Sequence, residues 1–221
     1  MIKQIFFDVG KVILTRRTTD ASNIAKVIGV TEEKYSEIHE KVISDQTKEQ
    51  HEQFWSIRTL EDEYRYIDDF NRRVCTLLDI KYDDALIRKM TDCRIKADFV
   101  INEGVIDTLT ELKKKNQLSI LSNALPSRRH FDLKIENLIE FFDPILISFE
   151  IGLHKPDPEI FKQALATSKF KPEEIAFIDD KEQNLEVAKA AGFGKCVLMS
   201  KEKNANYETA TKFTDLVQIF S

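Results

Sequence analysis

The chain has 221 residues, 42% hydrophobic and 32% charged, with a formal net charge of -5. That length can bury a sizeable core as one large domain or two small ones, and the acidic balance argues against a nucleic-acid binder, which would show a basic excess. No run approaches the ~20 apolar residues of a membrane span, and Asp8 interrupts the short apolar N-terminal stretch, which does not read as a secretory signal.

Cys75, Cys93 and Cys196 have neither metal-ligand spacing nor a disulfide pattern, so a reducing cytoplasm is the expected compartment. Ile5-Phe6-Phe7 ends in Asp8, followed by Val9 and Gly10. A short apolar run closed by turn residues predicts a buried parallel strand. Its terminal carboxylate would then stand at the edge where such sheets bind ligands. Gly10 permits close approach of the backbone to a ligand.

From Arg16 to Lys96 the pattern is helical. Asp20 or Ser22 is the expected N-cap of a helix running to Ile28, with Gly29 as its stop. Thr31 caps a second, with Tyr35, Ile38 and Val42 on one face. A third runs from Thr59 to Leu78, with Tyr64, Ile67, Phe70, Val74 and Leu78 aligned. A fourth starts at Asp83 or Asp84 and carries Leu86, Ile87, Met90 and Cys93. Residues 16–96 therefore read as a helical bundle inserted into a second domain of residues 1–15 and 97–221. Phe54 and Trp55 are expected in the core of that bundle.

From Gly104 strands and helices alternate. Val105, Leu109 and Leu112 mark a helix; Leu118–Leu121 a strand ending in Ser122-Asn123; residues 127–141 a helix; Ile145–Ile147 a strand. Asp157 and Pro158 are the N-cap and first residue of the next helix. A strand over Ile175–Ile178 ends in Asp179-Asp180, and a helix from Glu182 to Ala191 stops at Gly192. A strand at Cys196–Met199 and a short helix from Asp215 complete the chain. This alternation predicts an α/β fold with a Rossmann-like parallel sheet and right-handed crossovers.

In a parallel sheet the strands' C-terminal ends share one edge. Asp8 with Gly10, Ser122 with Asn123, Lys155, and Asp179 with Asp180 would converge there. Each has an ordinary alternative: turn formation for Asp8 and Gly10 and for Ser122 and Asn123, a solvated loop lysine, and helix capping for the two aspartates. Together they suit Mg²⁺, a hard ion that prefers oxygen ligands, and a phosphoryl group held by an ammonium and a hydroxyl. A carboxylate placed there can attack phosphorus.

Asp8-Val9-Gly10-Lys11-Val12, Ser122-Asn123, Lys155-Pro156-Asp157-Pro158 and Phe177-Ile178-Asp179-Asp180 resemble, in order and spacing, the four motifs of the haloacid dehalogenase-like hydrolase superfamily, subfamily I with a helical C1 cap, in a phosphatase branch whose first motif is D-x-G. The resemblance implies a Mg²⁺-dependent phosphatase of a small phosphorylated metabolite, a sugar phosphate among the candidates, acting as a monomer or homodimer without nucleic acid or membrane. It implies that Asp8 is nucleophile and metal ligand, and that Gly10 offers its carbonyl to the metal. Asp180 would be the second carboxylate ligand, and Asp179 would orient the metal's surroundings. Lys155 and Ser122 would act on the phosphoryl group, with Asn123 and Lys11 beside the substrate. Asn184 would stand behind the metal ligands.

Relatives of this kind usually carry a second aspartate where Gly10 stands, a general acid contributing ~10²–10⁴-fold. Lys11, Asp20 and His154 are its candidate substitutes. Two alternatives follow: a 2-haloacid dehalogenase using Asp8 on carbon, and a catalytically impaired binding or regulatory protein of the same fold. The helical insert would act as a lid. Most of Arg16, Arg17, Arg65, Arg72 and Arg73 are expected in solvent.

Overall fold

The computed structural model describes residues 1–131 and 138–221. Its strands are β1 (Gln4–Phe7), β2 (Leu14–Arg16), β3 (Phe99–Ile101), β4 (Gln117–Ser122), β5 (Ile145–Ile147), β6 (Ile175–Asp179), β7 (Lys195–Met199) and β8 (Glu208–Ala210). Six form one sheet in the order β5-β4-β1-β6-β7-β8, and β2 and β3 form a second. Every pairing in the large sheet is parallel.

The helices are α1 (Asp20–Ile28), α2 (Glu32–Ser44), α3 (Lys48–Ser56), α4 (Leu60–Leu77), α5 (Asp84–Ile95), α6 (Val105–Lys113), α7 (Pro126–Phe131), α8 (Ser148–Ile151), α9 (Pro158–Ala166), α10 (Glu182–Ala191) and α11 (Asp215–Ile219). The chain divides into two compact units. One, of Met1–Thr15, Val100–Ala124 and residues 138–221, holds the six-stranded sheet; the other, of Arg16–Phe99 and residues 125–131, holds α1 to α5 and α7.

In the α/β unit β1 is buried along its whole length and lies between β4 and β6. This central position explains its composition: both faces are covered, so an apolar run replaces polar alternation. Phe6, Phe161, Phe177 and Phe193 pack edge-on or tilted, with ring centroids 5.6 to 6.2 Å apart. Each buried phenyl ring contributes on the order of 1.5–3 kcal/mol. The ladder continues past β1, where the Asp8 N–H donates to the Ile178 carbonyl at 2.9 Å.

In the helical unit Ile24, Tyr35, Ile38, Val42, Phe70, Val74, Ile87 and Met90 form one core. Thr31 caps α2 as expected, and Thr59 and Asp83, expected only as helix starts, are the N-caps of α4 and α5. The first helix differs: Thr19, not Asp20 or Ser22, is its N-cap and accepts the Ser22 N–H. Helix α3 was not expected. It buries no residue completely, so it lacks an apolar stripe, and a capping box between Thr47 and Gln50 starts it. Phe54 and Trp55 on α3 are half-buried. On α4, Tyr64 is only half-buried, while Glu63 and Asp68 face inward. Glu63 accepts the Ser127 N–H at 2.8 Å, and Asp68 accepts the Thr91 hydroxyl at 2.5 Å.

The helix expected over residues 127–141 is seen in part: α7 ends at Phe131, and residues 132–137 lie outside the described residues. No helix is long and apolar enough to cross a membrane among the described residues.

Candidate active site

The parallel register delivers the expected groups to one edge. Asp8 follows β1, Asn123 follows β4, Asp179 ends β6 and Asp180 comes next. Lys155 arrives on the loop between α8 and α9. A cleft of about 210 Å³ is lined by Asp8, Gly10, Lys11, Asn123, Lys155, Asp179, Asp180, Lys181 and Asn184.

Lys155 organises the floor. Its Nζ donates to Asp8 Oδ1 and to Asp179 Oδ2, each at 2.7 Å, and its side chain is only 2% exposed. Its main chain is fixed by a reciprocal pair: the Lys155 N–H donates to Asn123 Oδ1 at 2.8 Å, and Asn123 Nδ2 donates to the Lys155 carbonyl at 2.7 Å. Asp179 is fully engaged. Its Oδ2 also accepts from Asn184 Nδ2 at 2.9 Å, and its Oδ1 accepts the Lys181 N–H at 2.9 Å. Asp180 is more open and lies 3.4 Å from the Lys11 ammonium.

Carboxylate oxygens of Asp8, Asp179 and Asp180 all lie within 4.8 Å of one another. At that separation two like charges repel by about 3 kcal/mol at an effective dielectric of ~20. Three carboxylates face the buried Lys155 ammonium and the exposed Lys11 ammonium, which leaves one negative charge in excess at the cleft. Burial raises the Asp8 pKa above its ordinary value; the neighbouring Asp179 charge adds to the shift, and Lys155 opposes it. Burial works against the Lys155 charge, but Asp8 and Asp179 outweigh it and hold the ammonium above its ordinary value.

The turn after Asp8 is closely tied. The Val9 carbonyl accepts from the Ile13 and Leu14 N–H groups at 2.9 and 3.0 Å, and the Lys11 N–H donates to the Leu14 carbonyl at 2.7 Å. Lys11 takes a left-handed conformation, φ 60, which is costly for a residue with a side chain. Gly10 does not need its missing side chain for conformational reasons. A methyl group there would meet Asp8 Oδ2 at 3.9 Å and nothing nearer.

Not every expected group lines the cleft. Ser122 is buried as the last residue of β4 and is not part of the lining, nor is His154. Asp20 belongs to the helical unit, where it pairs with Arg16. Two further residues, Lys181 and Asn102, carry no sequence signal for this site. The first donates through its backbone, and the second meets the Lys11–Ile13 turn across about 90 residues of chain.

A nucleophile-capable aspartate, a buried lysine and a more open second acid, Asp180, at the carboxyl edge of a parallel sheet mark a hydrolase. The chain belongs to the haloacid dehalogenase-like hydrolases, whose family model matches residues 2–192. It is 24% identical over 204 residues to D-ribitol-5-phosphate phosphatase of Bacteroides thetaiotaomicron, covering 87% of this chain and 90% of the relative. Other relatives match over a shorter stretch. A phosphoserine phosphatase of Thermus thermophilus is 36% identical over 76 residues, 34% of this chain. Rat bifunctional epoxide hydrolase 2 is 33% identical over 97 residues, 42% of this chain. The chain spans 30% and 18% of the length of those two.

Two solved structures share the fold. A haloacid dehalogenase family enzyme of Bacteroides thetaiotaomicron, in complex with magnesium and inorganic phosphate, superposes with a TM-score of 0.63 at 22% identity, covering 93% of this chain and 98% of the other. L-2-haloacid dehalogenase of Xanthobacter autotrophicus superposes with a TM-score of 0.68 at 15% identity, covering 100% and 98%.

Proposed function

We propose that the protein is a cytoplasmic, Mg²⁺-dependent phosphatase that hydrolyses the phosphomonoester of a small metabolite, with a sugar or polyol phosphate the preferred class. The observation that carries this reading is the cluster of Asp8, Asp179 and Asp180 around one buried ammonium, with negative charge in excess. The phosphatase relatives support it, as does the near full-length match to the D-ribitol-5-phosphate enzyme.

The residues present fit Mg²⁺. Asp8 and Asp180 supply carboxylate oxygen, and the Gly10 carbonyl accepts no hydrogen bond among the described residues. Asp179, with both oxygens engaged, holds Lys155 rather than the ion. When bound, the ion neutralises the floor and polarises the phosphoryl oxygens.

Asp8, held through Oδ1 by Lys155, attacks phosphorus. An Asp8–phosphorus bond forms and the bond to the leaving oxygen breaks. Lys155 spreads positive charge over Asp8 and the phosphoryl oxygens. Asn123 fixes the main chain of Lys155. With Gly10 bare, Lys11 is the ionisable side chain of the turn; its ammonium gives the leaving oxygen a proton and regains one from the attacking water. Water then attacks the aspartyl phosphate, releasing inorganic phosphate and restoring Asp8. The helical unit acts as the cap that selects the leaving group.

Phosphate release from a panel of phosphorylated metabolites, with Mg²⁺ or with chelator, tests the reading. The wild type turns over at least one in Mg²⁺ alone, and Asp8→Asn turns over none. Halide release from a 2-haloacid in chelator, without phosphate release, contradicts it.

The open space at Gly10 favours a second reading, a site impaired in its acid step. Gly10→Asp then raises a near-zero rate by about 10²-fold or more, whereas an unchanged rate removes this reading.

A further inference from the structure

We propose that Asn102 is a positioning residue of this site, holding the turn after the nucleophile so that the Gly10 carbonyl stays free for a divalent cation. The inference rests on the metal site proposed above. Asn102 Nδ2 donates to the Lys11 carbonyl at 3.2 Å and to the Val12 carbonyl at 2.9 Å. Its own N–H donates to the Ile13 carbonyl at 2.9 Å. One residue thus occupies three successive carbonyls of the turn, about 90 positions away in sequence.

The remaining carbonyls of the turn divide simply. Val9 accepts from Ile13 and Leu14, and Leu14 accepts from Lys11. Gly10 is the exception from Val9 to Leu14: among the described residues nothing donates to its carbonyl, and it lines the cleft with Asp8 and Asp180. A carbonyl direction is set by the torsions on either side of it. The next residue, Lys11, stands at φ 60, a conformation that persists only where neighbouring bonds hold it. The side-chain hold on the C-terminal side of Lys11 is the Asn102 amide, which donates to the two carbonyls that follow Gly10. Without it the turn relaxes toward ordinary torsions and the Gly10 carbonyl loses its aim.

Partners that orient a metal ligand typically change affinity 10–100-fold. The test uses the full chain, with Mg²⁺ affinity measured by titration calorimetry and folding by thermal unfolding. Asn102→Ala and the similarly sized Asn102→Leu remove the donors. The control is Asn116→Ala, because Asn116 makes the same kind of bond, Nδ2 to the Ile2 carbonyl at 2.9 Å, at the other end of β1.

Both Asn102 variants are expected to bind Mg²⁺ about tenfold more weakly while still unfolding cooperatively, whereas Asn116→Ala loses stability and keeps wild-type affinity. Wild-type affinity in the folded Asn102 variants, or an equal loss in Asn116→Ala, overturns the positioning role and leaves the metal site standing. A wild type that binds no Mg²⁺ overturns both.

Discussion

The two units use the same charged residues in opposite ways. In the helical unit a cleft of about 530 Å³, larger than the one at Asp8, is lined by Leu60, Glu61, Tyr64, Arg65, Asp68, Arg72 and Arg88. Every arginine there has an acid: Arg65 with Glu61 at 3.4 Å, Arg72 with Asp69 at 2.9 Å and Asp84 at 3.0 Å, and Arg88 with Asp68 at 2.9 Å. Two of these pairs are three or four residues apart on α4, the spacing that supports a helix. Every arginine is paired, and all three are open to solvent. At the sheet edge one lysine is buried between two carboxylates, and a third carboxylate stands alongside with only the exposed Lys11 near it. Pocket size therefore does not identify the chemistry; charge held out of water does.

The largest change expected short of removing the nucleophile is at Lys155. Lys155→Met leaves Asp8 and Asp179 buried without their cation and lowers stability by about 3–5 kcal/mol. Thermal unfolding checks this, and Mg²⁺ recovers part of the loss. Unchanged stability would mean that the buried cluster is not under electrostatic tension.

A smaller effect is expected in the helical unit at acid pH. Burial lowers the His39 pKa from 6.5 to about 4, and Arg94 adds to the shift. The folded value lies below the unfolded one, so the stability tied to neutral His39 is present above pH 6.5 and lost as pH falls towards 4. Trp55, the single tryptophan, belongs to this unit and reports its unfolding. Comparing wild type with His39→Gln isolates the effect, because the variant lacks that part of the acid loss.

The smallest effect is at Arg72, whose two acidic partners are both exposed. Arg72→Ala changes stability by less than about 0.5–1 kcal/mol. A loss as large as that of Lys155→Met would erase the contrast between the units.

The two kinds of charge differ also in how readable they are. Asp8 follows one fully buried strand and Asp179 closes another, with Asp180 next, and a polar group after an apolar run stands out. Lys155 was legible for the same topological reason, because the register of parallel strands fixes which loops share an edge. Asn102 was not, since nothing in Ile101-Asn102-Glu103 shows that its amide meets a turn near residue 11. Lys181 contributes a backbone N–H, which carries no residue-type signal. Helix α3 left a capping box but no apolar stripe, so the periodicity that revealed α2 and α4 was missing. Thr19 and Asp20 are both good caps, and local preference alone does not choose between neighbours.

The central claim is that the uncompensated charge at Asp8, Asp179 and Asp180 takes up one divalent cation. Titration calorimetry of the wild type against Asp180→Asn tests it most directly. One Mg²⁺ per chain is expected in the wild type, with at least tenfold weaker binding in the variant. No binding to the wild type, or equal binding by both, would contradict it.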